Sequence, residues 1–243
     1  MRLDFLVAER FPEYTMPQIQ TWIMQGKVLI DGMPETKAGT QVALDAIITC
    51  NAHIPKYVGR AGFKLEKALT HFNIDVSGLT CLDAGIATGG FTDCLLQHGA
   101  QKVYGIDVGY GDVHEKVRRD PRVVLLERTN LRHISPEMIG DLVDVVTLDL
   151  SFISVLKVME AVVACMKPHA QLIVLIKPQF EAKREDVGPG GVITDPAVHA
   201  YVVKEMVAGI EAYGFTNVGV VESPILGRSG NKEFLGYFQR NAP

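Results

Sequence analysis

The sequence predicts an α/β fold in which a mostly parallel β-sheet carries helices on both faces and follows a small α+β unit. From about residue 80 onward, apolar strand-like segments alternate with helical ones, which is the pattern of a parallel sheet with crossover helices. Before residue 50, two helical segments precede short strand-like segments. A chain of 243 residues has room for one large domain and one small one.

The small unit takes up residues 1 to about 50. "RLDFLVAERF" has helical spacing, and Pro17 stands where a second helix, "PQIQTWIMQG", would begin, with Gly26 at its end. "KVLID" then predicts a strand, Asp31 and Gly32 a turn, and "DAIITC" a closing strand. A unit of this size is too small to be the main body of the protein.

Seven strand candidates follow from about residue 80: "LTCLDAG", "KVYGIDVG", "RVVLLE", "DVVTLDLSF", "QLIVLIKPQF", "NVGVVESP" and "EFLGYFQR". Helical stretches are predicted near residues 90–98, 112–119, 153–166 and 196–213. The last of these has Asp195 as N-cap, Pro196 at its first position and Gly214 just past its end. Because ligands of such sheets bind at the carboxyl ends of the strands, the residues that directly follow each strand are the functional candidates.

The composition excludes several classes of protein. A formal net charge of −4 is not that of a strongly basic nucleic-acid coat, although a local basic patch is enough for phosphate contact. The four cysteines lie far apart without a C-x-x-C pair, which predicts reduced thiols and no metal site. Charged residues interrupt the first apolar run, and the most apolar segments are shorter than the ~20 residues of a membrane-spanning helix. We therefore expect a cytoplasmic protein that does not enter membranes.

The segment "LDAGIATGGFTD", residues 82 to 93, places three glycines after Asp83 between a predicted strand and a predicted helix. It matches neither G-x-G-x-x-G nor G-x-x-x-x-G-K-[ST], and the missing lysine argues against a triphosphate. An acidic residue ahead of the loop suits a cationic ligand. S-adenosylmethionine fits, since it carries an ammonium, a sulfonium and a ribose diol but no phosphate. Taken alone, the loop is also compatible with a plain helix entry that binds nothing.

Two further strand ends favour the ligand. Asp107 ends the second strand, 24 residues beyond Asp83, and a carboxylate there can accept two hydrogen bonds from a ribose diol. Asn130 follows the third strand in "ERTN", where on its own it would be a loop-capping amide. Together with the glycine loop, these residues predict a nucleotide-like cofactor.

Reactive side chains are expected at the same edge. Asp149 ends the fourth strand, Lys177 closes the fifth, and Glu233 begins the last one. A lysine that ends an apolar run needs partners, so an ion pair between Lys177 and Asp149 that only holds the strand ends is the alternative. Lys64 lies in the densest basic run of the chain, "KYVGRAGFKLEKAL", which by itself is equally typical of a solvated helix start.

Eight segments in order resemble the TlyA family of ribosomal RNA 2′-O-methyltransferases, which are related to the FtsJ (RrmJ) enzymes and have also been labelled haemolysins. These segments are "GRAGFKLEKAL", "DAGIATGGFTD", "IDVGYG", "ERTN", "LDLSFIS", "IKPQFE", "GPGGVITDP" and "GNKEFL". The front unit resembles the alpha-L RNA-binding fold of small-subunit ribosomal protein four and pseudouridine synthases. The resemblance implies a small N-terminal α+β alpha-L RNA-binding domain with linker over residues 1–58. It implies a Rossmann-like S-adenosylmethionine-dependent methyltransferase sheet over residues 59–243.

The resemblance also assigns roles to residues. It implies a catalytic tetrad of Lys64, Asp149, Lys177 and Glu233. The cofactor residues that it implies, joined by the two carboxylates beside the loop, are Asp83, Gly85, Thr88, Gly89, Gly90, Phe91, Asp107, Asn130 and Asp149. The expected RNA contacts are Arg2, Lys27, Arg60 and Lys64.

A ribose 2′-hydroxyl is a poor nucleophile, and its proton must leave as the methyl group arrives. We hypothesise that Lys177 orients and deprotonates this hydroxyl, that Asp149 and Glu233 fix the position of Lys177, and that Lys64 holds the RNA phosphate or ribose. Alignment of hydroxyl and sulfonium supplies much of the acceleration, so the base need not be strong.

Several positions depart from the family pattern. Thr15, Met16 and Pro17 replace the Ser-Arg that usually precedes the second helix. Residues 1–58 hold five lysines and arginines against six aspartates and glutamates, so RNA affinity is expected to rest more on Arg60 and Lys64. Ala87 stands where a serine is usual and Asp112 where glutamine is common, and both are expected to alter cofactor affinity.

Two rival functions stay open at this point. An S-adenosylmethionine enzyme for a small molecule or protein is disfavoured by the alpha-L-like unit and by Lys64. A non-enzymatic cytolysin or RNA-binding protein is disfavoured by the intact tetrad and the lack of a membrane-inserting segment. The resemblance suggests a cytidine of 16S and/or 23S rRNA as substrate; naked RNA, a ribosomal subunit and an assembly intermediate all stay open. A monomer is expected.

Overall fold

A computed structural model of the chain describes residues 1–52 and 55–241. Its backbone contacts form two units, Met1–Lys56 and Tyr57–Pro243. The division lies two residues before the expected boundary at residue 58. Within the described ranges, no helix is both long enough and apolar enough to cross a membrane.

The first unit contains two helices and a small antiparallel sheet. Its elements are α1 (Leu3–Arg10), α2 (Met16–Met24), β1 (Val28–Ile30), β2 (Met33–Glu35) and β3 (Ile48–Cys50). The strand order is β2-β1-β3 within residues 1–52. Asp31 and Gly32 both have positive φ, at 50° and 85°, which is the geometry of a tight two-residue hairpin turn. The helices, the turn and two strands confirm the predictions, while β2 was not predicted.

The second unit alternates strands with helices, as predicted. Its helices are α3 (Ala61–His71), α4 (Gly90–Gln97), α5 (Glu115–Arg118), α6 (Pro136–Ile139), α7 (Met159–Ala164), α8 (Pro178–Glu181) and α9 (Pro196–Glu211). Its strands are β4 (Thr80–Ala84), β5 (Lys102–Ile106), β6 (Val123–Leu126), β7 (Val143–Leu148), β8 (Met166–Ile176), β9 (Phe215–Glu222) and β10 (Phe234–Arg240). The N-cap carboxylate of Asp195 accepts from the N–H of Ala197 and begins α9 as expected. The predicted helices around residues 112–119 and 153–166 are shorter than expected.

The strands of the second unit form one mixed sheet in the described part of the chain. Their order is β6-β5-β4-β7-β8-β10-β9, with parallel pairing from β6 to β8. Strand β10 runs antiparallel to both β8 and β9. The carboxyl ends of β4, β5, β7 and β8 therefore share an edge with the start of β10.

Both faces of this sheet are covered. Neighbouring residues of one strand belong to different core clusters: Val145 packs with α3 and α4, whereas Val146 packs with α7 and α9. Side chains of a strand alternate between faces, so the two clusters lie on opposite sides of the sheet. The predicted arrangement of helices on both faces is confirmed.

Candidate active site

The glycine loop follows β4 and turns through residues with positive φ. Gly85, Ala87 and Gly89 have φ values of 87°, 46° and 92°. A Cβ on Gly85 would stand 2.6 Å from the carbonyl oxygen of Asp149, so glycine is needed for the two strand ends to approach this closely. Gly85 and Ala87 consequently line a cavity at the carboxyl edge of the sheet.

This cavity, the cofactor cavity, has a volume of about 320 Å³, in the size range of small-molecule sites. Its polar lining includes Asp107, Asn130 and Asp149. Its apolar lining comprises Ile106, Val108, Leu131, Leu150, Ile153 and Val158. The predicted strand-end residues are therefore brought together around one space.

Asp107 is held in a fixed orientation by the backbone. Its Oδ2 accepts a 2.8 Å hydrogen bond from the N–H of Ala87, and its Oδ1 accepts one of 2.8 Å from the N–H of Gly109. Each carboxylate oxygen has a second lone-pair direction, so both can also accept from a ligand. Two acceptors on one rigid group match the paired hydroxyls of a ribose.

Asn130 complements this carboxylate with a donor. Its Oδ1 accepts from the N–H of Arg132 at 3.1 Å, which leaves the Nδ2 group to donate to a ligand. The buried side chain of Leu131 supplies an apolar surface beside it. An acceptor pair, an amide donor and apolar walls are chemically suited to the adenosine part of S-adenosylmethionine.

Asp83 lies beneath the loop instead of in the cavity. It is fully buried and accepts hydrogen bonds from the hydroxyls of Thr92 at 2.6 Å and Thr147 at 3.1 Å. Burial raises the pKa of Asp83 to about 7, against the opposite effect of these two hydrogen bonds. A carboxyl group without accessible surface cannot touch a ligand. The expected cofactor contact of Asp83 is thus corrected to a supporting contact under the loop.

Four other residues of the predicted cofactor set shape the loop. Phe91 is buried in the core under α4, so its expected contact with the cofactor is also corrected. Gly89 packs on Val117, and a Cβ on Gly90 would meet the backbone of residues 59–62. Thr88 lines a different cavity on the same sheet edge.

That second cavity has a volume of about 590 Å³ and lies within the second unit. Its lining includes three predicted catalytic residues, Lys64, Lys177 and Glu233. The fourth, Asp149, lines the cofactor cavity and reaches Lys177 from there. The structure therefore brings the predicted tetrad together.

The tetrad is arranged as two ion pairs. Nζ of Lys64 lies 2.5 Å from Oε2 of Glu233, and Nζ of Lys177 lies 2.6 Å from Oδ1 of Asp149. Glu233 directly precedes β10, whose first residue pairs with Ile176, so its backbone lies beside that of Lys177. Its side chain nevertheless contacts Lys64 from α3. The expectation that Glu233 fixes Lys177 is corrected: Asp149 holds Lys177, and Glu233 holds Lys64.

The two cavities have a common wall. Ala87, Ser151 and Phe152 line both of them. Ser151 Oγ accepts a hydrogen bond of 3.0 Å from Nζ of Lys177, so the lysine reaches this wall. A group bound in one cavity would lie next to a group bound in the other across these three residues.

Phe152 is an exposed aromatic residue in a strained backbone conformation. Its side chain is 91% exposed, and its φ of 66° is uncommon for a bulky residue. Its ring lies 5.1 Å from that of Phe180, centroid to centroid, on the wall of the second cavity. Strain of about 1–3 kcal/mol at such a position indicates a functional constraint.

The second cavity also carries positive charge at its rim. Arg60 and Arg228 line it, and neither has an ion-pair partner among the residues that the structure describes. The buried amide of Asn231 fixes the opposite wall, since it donates to the carbonyl of Gly191 and accepts from the N–H of Ile193. Together with Lys64 and Lys177, the two arginines make a space suited to phosphate oxygens.

Family models match the chain in both units. A model described as FtsJ-like methyltransferase matches residues 57–240, and one described as S4 domain matches residues 1–48. The chain belongs to the FtsJ-like methyltransferase family. Enzymes of this family use S-adenosylmethionine, the cofactor that the cavity fits. The fold class expected from the sequence is confirmed, with an S4 domain ahead of an FtsJ-like domain.

Individual relatives of this FtsJ-like protein agree over nearly the whole chain. The 16S/23S rRNA (cytidine-2′-O)-methyltransferase TlyA of Mycobacterium tuberculosis is 44% identical over 96% of this chain and 88% of its own. Hemolysin A of Brachyspira hyodysenteriae is 40% identical over 98% of this chain and 99% of its own. A solved structure described as a hemolysin from Streptococcus thermophilus has a TM-score of 0.75 at 35% identity, covering 99% of this chain and 88% of that one.

The predicted RNA contacts in the S4 domain are only partly available. Arg2 forms a bidentate pair with Asp4, with N–O distances of 3.1 and 2.8 Å, and its guanidinium lies over the ring of Phe5. Lys27 is exposed at the start of β1. In the FtsJ-like domain, Arg60 is exposed at the cavity and Lys64 is buried in its ion pair.

The sequence alone did not single out Ser151, Phe152 and Arg228. A signal for Ser151 was present, because a residue two positions after Asp149 returns to the same side of an extended chain. For Phe152 there was none, since positive φ in a non-glycine residue leaves no mark in composition. Arg228 belongs to a loop of the FtsJ-like domain whose approach to the cavity depends on the antiparallel return of β10.

Proposed function

We propose that the protein is a ribosomal RNA methyltransferase that transfers a methyl group from S-adenosylmethionine to the 2′-hydroxyl of a cytidine. The observation that carries this proposal is the common wall of the two cavities, formed by Ala87, Ser151 and Phe152. A cavity with a nucleoside-like donor set lies on one side, and a cation-rich cavity lies on the other. Lys177 and Asp149 meet at the boundary.

When bound, S-adenosylmethionine supplies an electrophilic methyl group on its sulfonium. Asp107 would accept from its ribose hydroxyls, and Asn130 would donate to its adenine ring. Gly85 and Asp149, whose backbones approach each other closely, line the part of the cavity that would hold the remainder of the molecule. These residues bind and orient the methyl donor and take no part in proton transfer.

Lys177 prepares the acceptor. Its neutral amine holds the 2′-hydroxyl in line with the methyl group and accepts the hydroxyl proton as the oxygen–carbon bond forms and the sulfur–carbon bond breaks. Asp149 holds Nζ in place and stabilises the ammonium that results. Lys64 gives one N–H to Glu233 and keeps two others for ribose or phosphate oxygens. Alignment of the two substrates accounts for a large share of the acceleration.

The charge of the second cavity favours RNA over a small neutral substrate. Apart from the proposed base Lys177, three of its lining side chains are cationic and one is anionic: Arg60, Lys64 and Arg228 against Glu233. A net positive space attracts the phosphates on either side of the target ribose. Exposed Phe152 offers a face on which a base can stack, which is a frequent mode of RNA recognition.

The finer details rest on the relatives. The printed activity of the Mycobacterium tuberculosis relative supports a cytidine of 16S or 23S rRNA as target, and the S4 domain supports an RNA partner. The predicted catalytic set is complete within residues 57–241, which supports action as a monomer. Action in the cytoplasm, where ribosomes are assembled, follows from the same substrate.

The decisive experiment combines the purified protein, labelled S-adenosylmethionine and ribosomal subunits from cells that lack the corresponding methylation. We expect label in rRNA, and mapping by mass spectrometry to place it on the ribose of a cytidine. Lys177→Ala is expected to abolish transfer while it leaves cofactor binding, measured by calorimetry, within about twofold. Lys183→Ala, an exposed lysine of the same domain, is the matched control.

Three outcomes would contradict the proposal. Label confined to protein or small molecules would identify another substrate, and no cofactor binding would favour a non-enzymatic protein. Near-normal transfer by folded, cofactor-bound Lys177→Ala would leave the reaction in place but remove Lys177 as its base.

A further inference from the structure

Ser151 lies on the common wall of the two cavities, two residues after Asp149. Its Oγ is 3.0 Å from Nζ of Lys177, which is itself 2.6 Å from Oδ1 of Asp149. Ser151 is exposed, whereas the side chain of Lys177 is only 10% exposed. A small, exposed hydroxyl on the common wall therefore contacts the amine of Lys177, which lines the second cavity.

The backbone around Ser151 is fixed on both sides. Before it, the N–H of Asp149 donates to the carbonyl of Ala84 at 3.1 Å, which ties the loop to β4. After it, Phe152 adopts its strained φ, and the N–H of Val155 donates to Glu181 Oε1 at 2.9 Å. A strained conformation persists only where its surroundings determine it. The fold thus fixes the backbone position of Ser151, and the contact with Lys177 gives its hydroxyl a partner.

The contact between Ser151 and Lys177 restricts the direction of the lone pair on Nζ, because the geometry of an amine is fixed. Nζ of lysine has three substituent directions besides the bond to Cε, and in the ammonium each of them carries a donor N–H. Asp149 takes one direction and Ser151 takes a second. The third direction is left for the cavity that Lys177 lines. When the amine loses a proton, retention of both acceptor contacts puts the lone pair in this third direction.

We propose that Ser151 is a positioning residue that aims the lone pair of Lys177 at the 2′-hydroxyl of the bound nucleotide. This inference rests on the proposed function, because it presupposes that Lys177 is the base. With Asp149 alone as acceptor, the lone pair would be shared between two directions, and one of them points at the wall. Ser151 removes the unproductive direction.

The proposal predicts a specific kinetic pattern for Ser151→Ala. In single-turnover reactions with saturating rRNA and cofactor, its methyl-transfer rate is expected to fall about tenfold to a hundredfold, part of the contribution of a well-placed base. Affinities for S-adenosylmethionine and for rRNA should stay within twofold. Ser151→Thr, which keeps the hydroxyl, should recover most of the rate. Ser154→Ala is the matched control, since Ser154 lies in the same loop and caps the next turn.

A second measurement does not depend on methyl transfer. Acetic anhydride acylates only neutral amines, so the pH dependence of acetylation at Lys177, followed by peptide mass spectrometry in the cofactor-free protein, reports the contacts of Nζ. Loss of one of the two acceptors of Nζ should change this acetylation profile in Ser151→Ala but not in Ser151→Thr. The other charged groups that face the site stay the same in all variants: Asp149, Glu233, Lys64, Arg60 and Arg228. Acetylation of exposed Lys183 serves as the internal reference.

The outcomes separate this inference from the function beneath it. An unchanged acetylation profile together with a transfer rate within twofold of the unsubstituted protein would overturn the role of Ser151. A loss of cofactor affinity as large as the loss of rate would make Ser151 a cofactor-wall residue instead. If the unsubstituted protein transferred nothing to rRNA, the proposed function would fail, while the acetylation profile would still report whether Ser151 holds Lys177.

Discussion

Lys64 and Glu233 are 169 positions apart in the sequence, yet Nζ of the first lies 2.5 Å from Oε2 of the second. Their side chains are 10% and 3% exposed. Lys177 has its own carboxylate, Asp149, at 2.6 Å. Each lysine of the site therefore has its own carboxylate to neutralise its charge, and the two ion pairs can be tested separately.

The Lys64–Glu233 pair should be strongly coupled. Because a single substitution leaves one buried charge without its partner, we expect Lys64→Met and Glu233→Gln each to lower the free energy of unfolding by about 3 kcal/mol. The double variant should lose much less than the sum. Urea unfolding of the four proteins measures this coupling, and additive losses would contradict it. Lys232→Met combined with Glu222→Gln, an exposed pair on the neighbouring strand ends, is the control and should show under about 1 kcal/mol of coupling.

Cofactor affinity should depend unequally on the two polar residues of the cofactor cavity. Asp107→Ala removes two charged acceptors and also releases the N–H groups of Ala87 and Gly109, so we expect a loss of about 2–3 kcal/mol, or thirtyfold or more. Asn130→Ala removes one neutral donor and should cost about 1 kcal/mol, roughly fivefold. Calorimetry with S-adenosylmethionine gives both values. No loss for Asp107→Ala would show that the cofactor is bound elsewhere, and equal losses would contradict the unequal contributions expected of the two residues.

Arg60 and Arg228, which have no ion-pair partner within residues 1–52 and 55–241, should act through phosphates. We expect Arg60→Ala and Arg228→Ala each to weaken rRNA binding and to reduce the slope of log affinity against log salt by about 0.7–0.9. Arg119→Ala is the control, because Arg119 is exposed but paired with Glu115 on α5. Titrations at several salt concentrations decide the matter: an unchanged slope would exclude a phosphate contact for that arginine.

Strand ends were the part of the site that the sequence could locate. Asp107, Asp149 and Lys177 each follow an apolar run, and parallel strands bring such ends to one edge. Their convergence follows from backbone topology alone and was expected from alternation. The alternation of strands and helices also predicted helices on both faces of the sheet, and Asp195 followed by Pro196 predicted the capped start of α9.

The remaining features depend on side-chain geometry that local patterns do not encode. The backbone of Glu233 lies beside that of Lys177, but its side chain forms an ion pair with Lys64 because α3 packs against the sheet at this point. Asp83 was expected in the cofactor site, yet Thr92 and Thr147 hold it in the core. Thr92 and Thr147 look like ordinary helix and strand residues in the sequence. No sequence pattern therefore indicated that the Asp83 carboxylate supports the loop and does not bind the cofactor.

Substitution of Phe152 tests whether its strained backbone conformation serves to present an aromatic ring to RNA. Phe152→Gly should relieve the cost of positive φ by about 1 kcal/mol, so it should be more stable to urea than Phe152→Leu, which keeps a β-carbon. Both variants lose an aromatic face, and we expect KM for rRNA to rise about fivefold to a hundredfold as stacking of about 1–3 kcal/mol is lost. An unchanged KM in either folded variant would remove the stacking role of Phe152.

The buried carboxyl of Asp83 should make stability depend on pH. Burial raises its pKa to about 7, above the ordinary value of 3.8 that applies when the chain is unfolded. Between these values the folded protein binds more protons at this site than the unfolded one, so the free energy of unfolding falls as pH rises from about 4 to 7. Below pH 4 Asp83 is protonated in both the folded and the unfolded protein, so its burial does not lower the free energy of unfolding. Above pH 7 the full cost is present, up to about 4 kcal/mol for a shift of this size.

Asp83→Asn isolates this contribution, because an amide of the same shape stays neutral and Thr92 and Thr147 can turn their hydroxyls toward it. The free energy of unfolding of the variant, minus that of the unsubstituted protein, should therefore increase from pH 5 to pH 8. Other titrating groups are common to both proteins and cancel in this difference. Urea unfolding at pH 5, 6, 7 and 8 gives the slope directly. A difference that stays constant, or one that shrinks as pH rises, would mean that Asp83 is ionised beneath the glycine loop throughout this range.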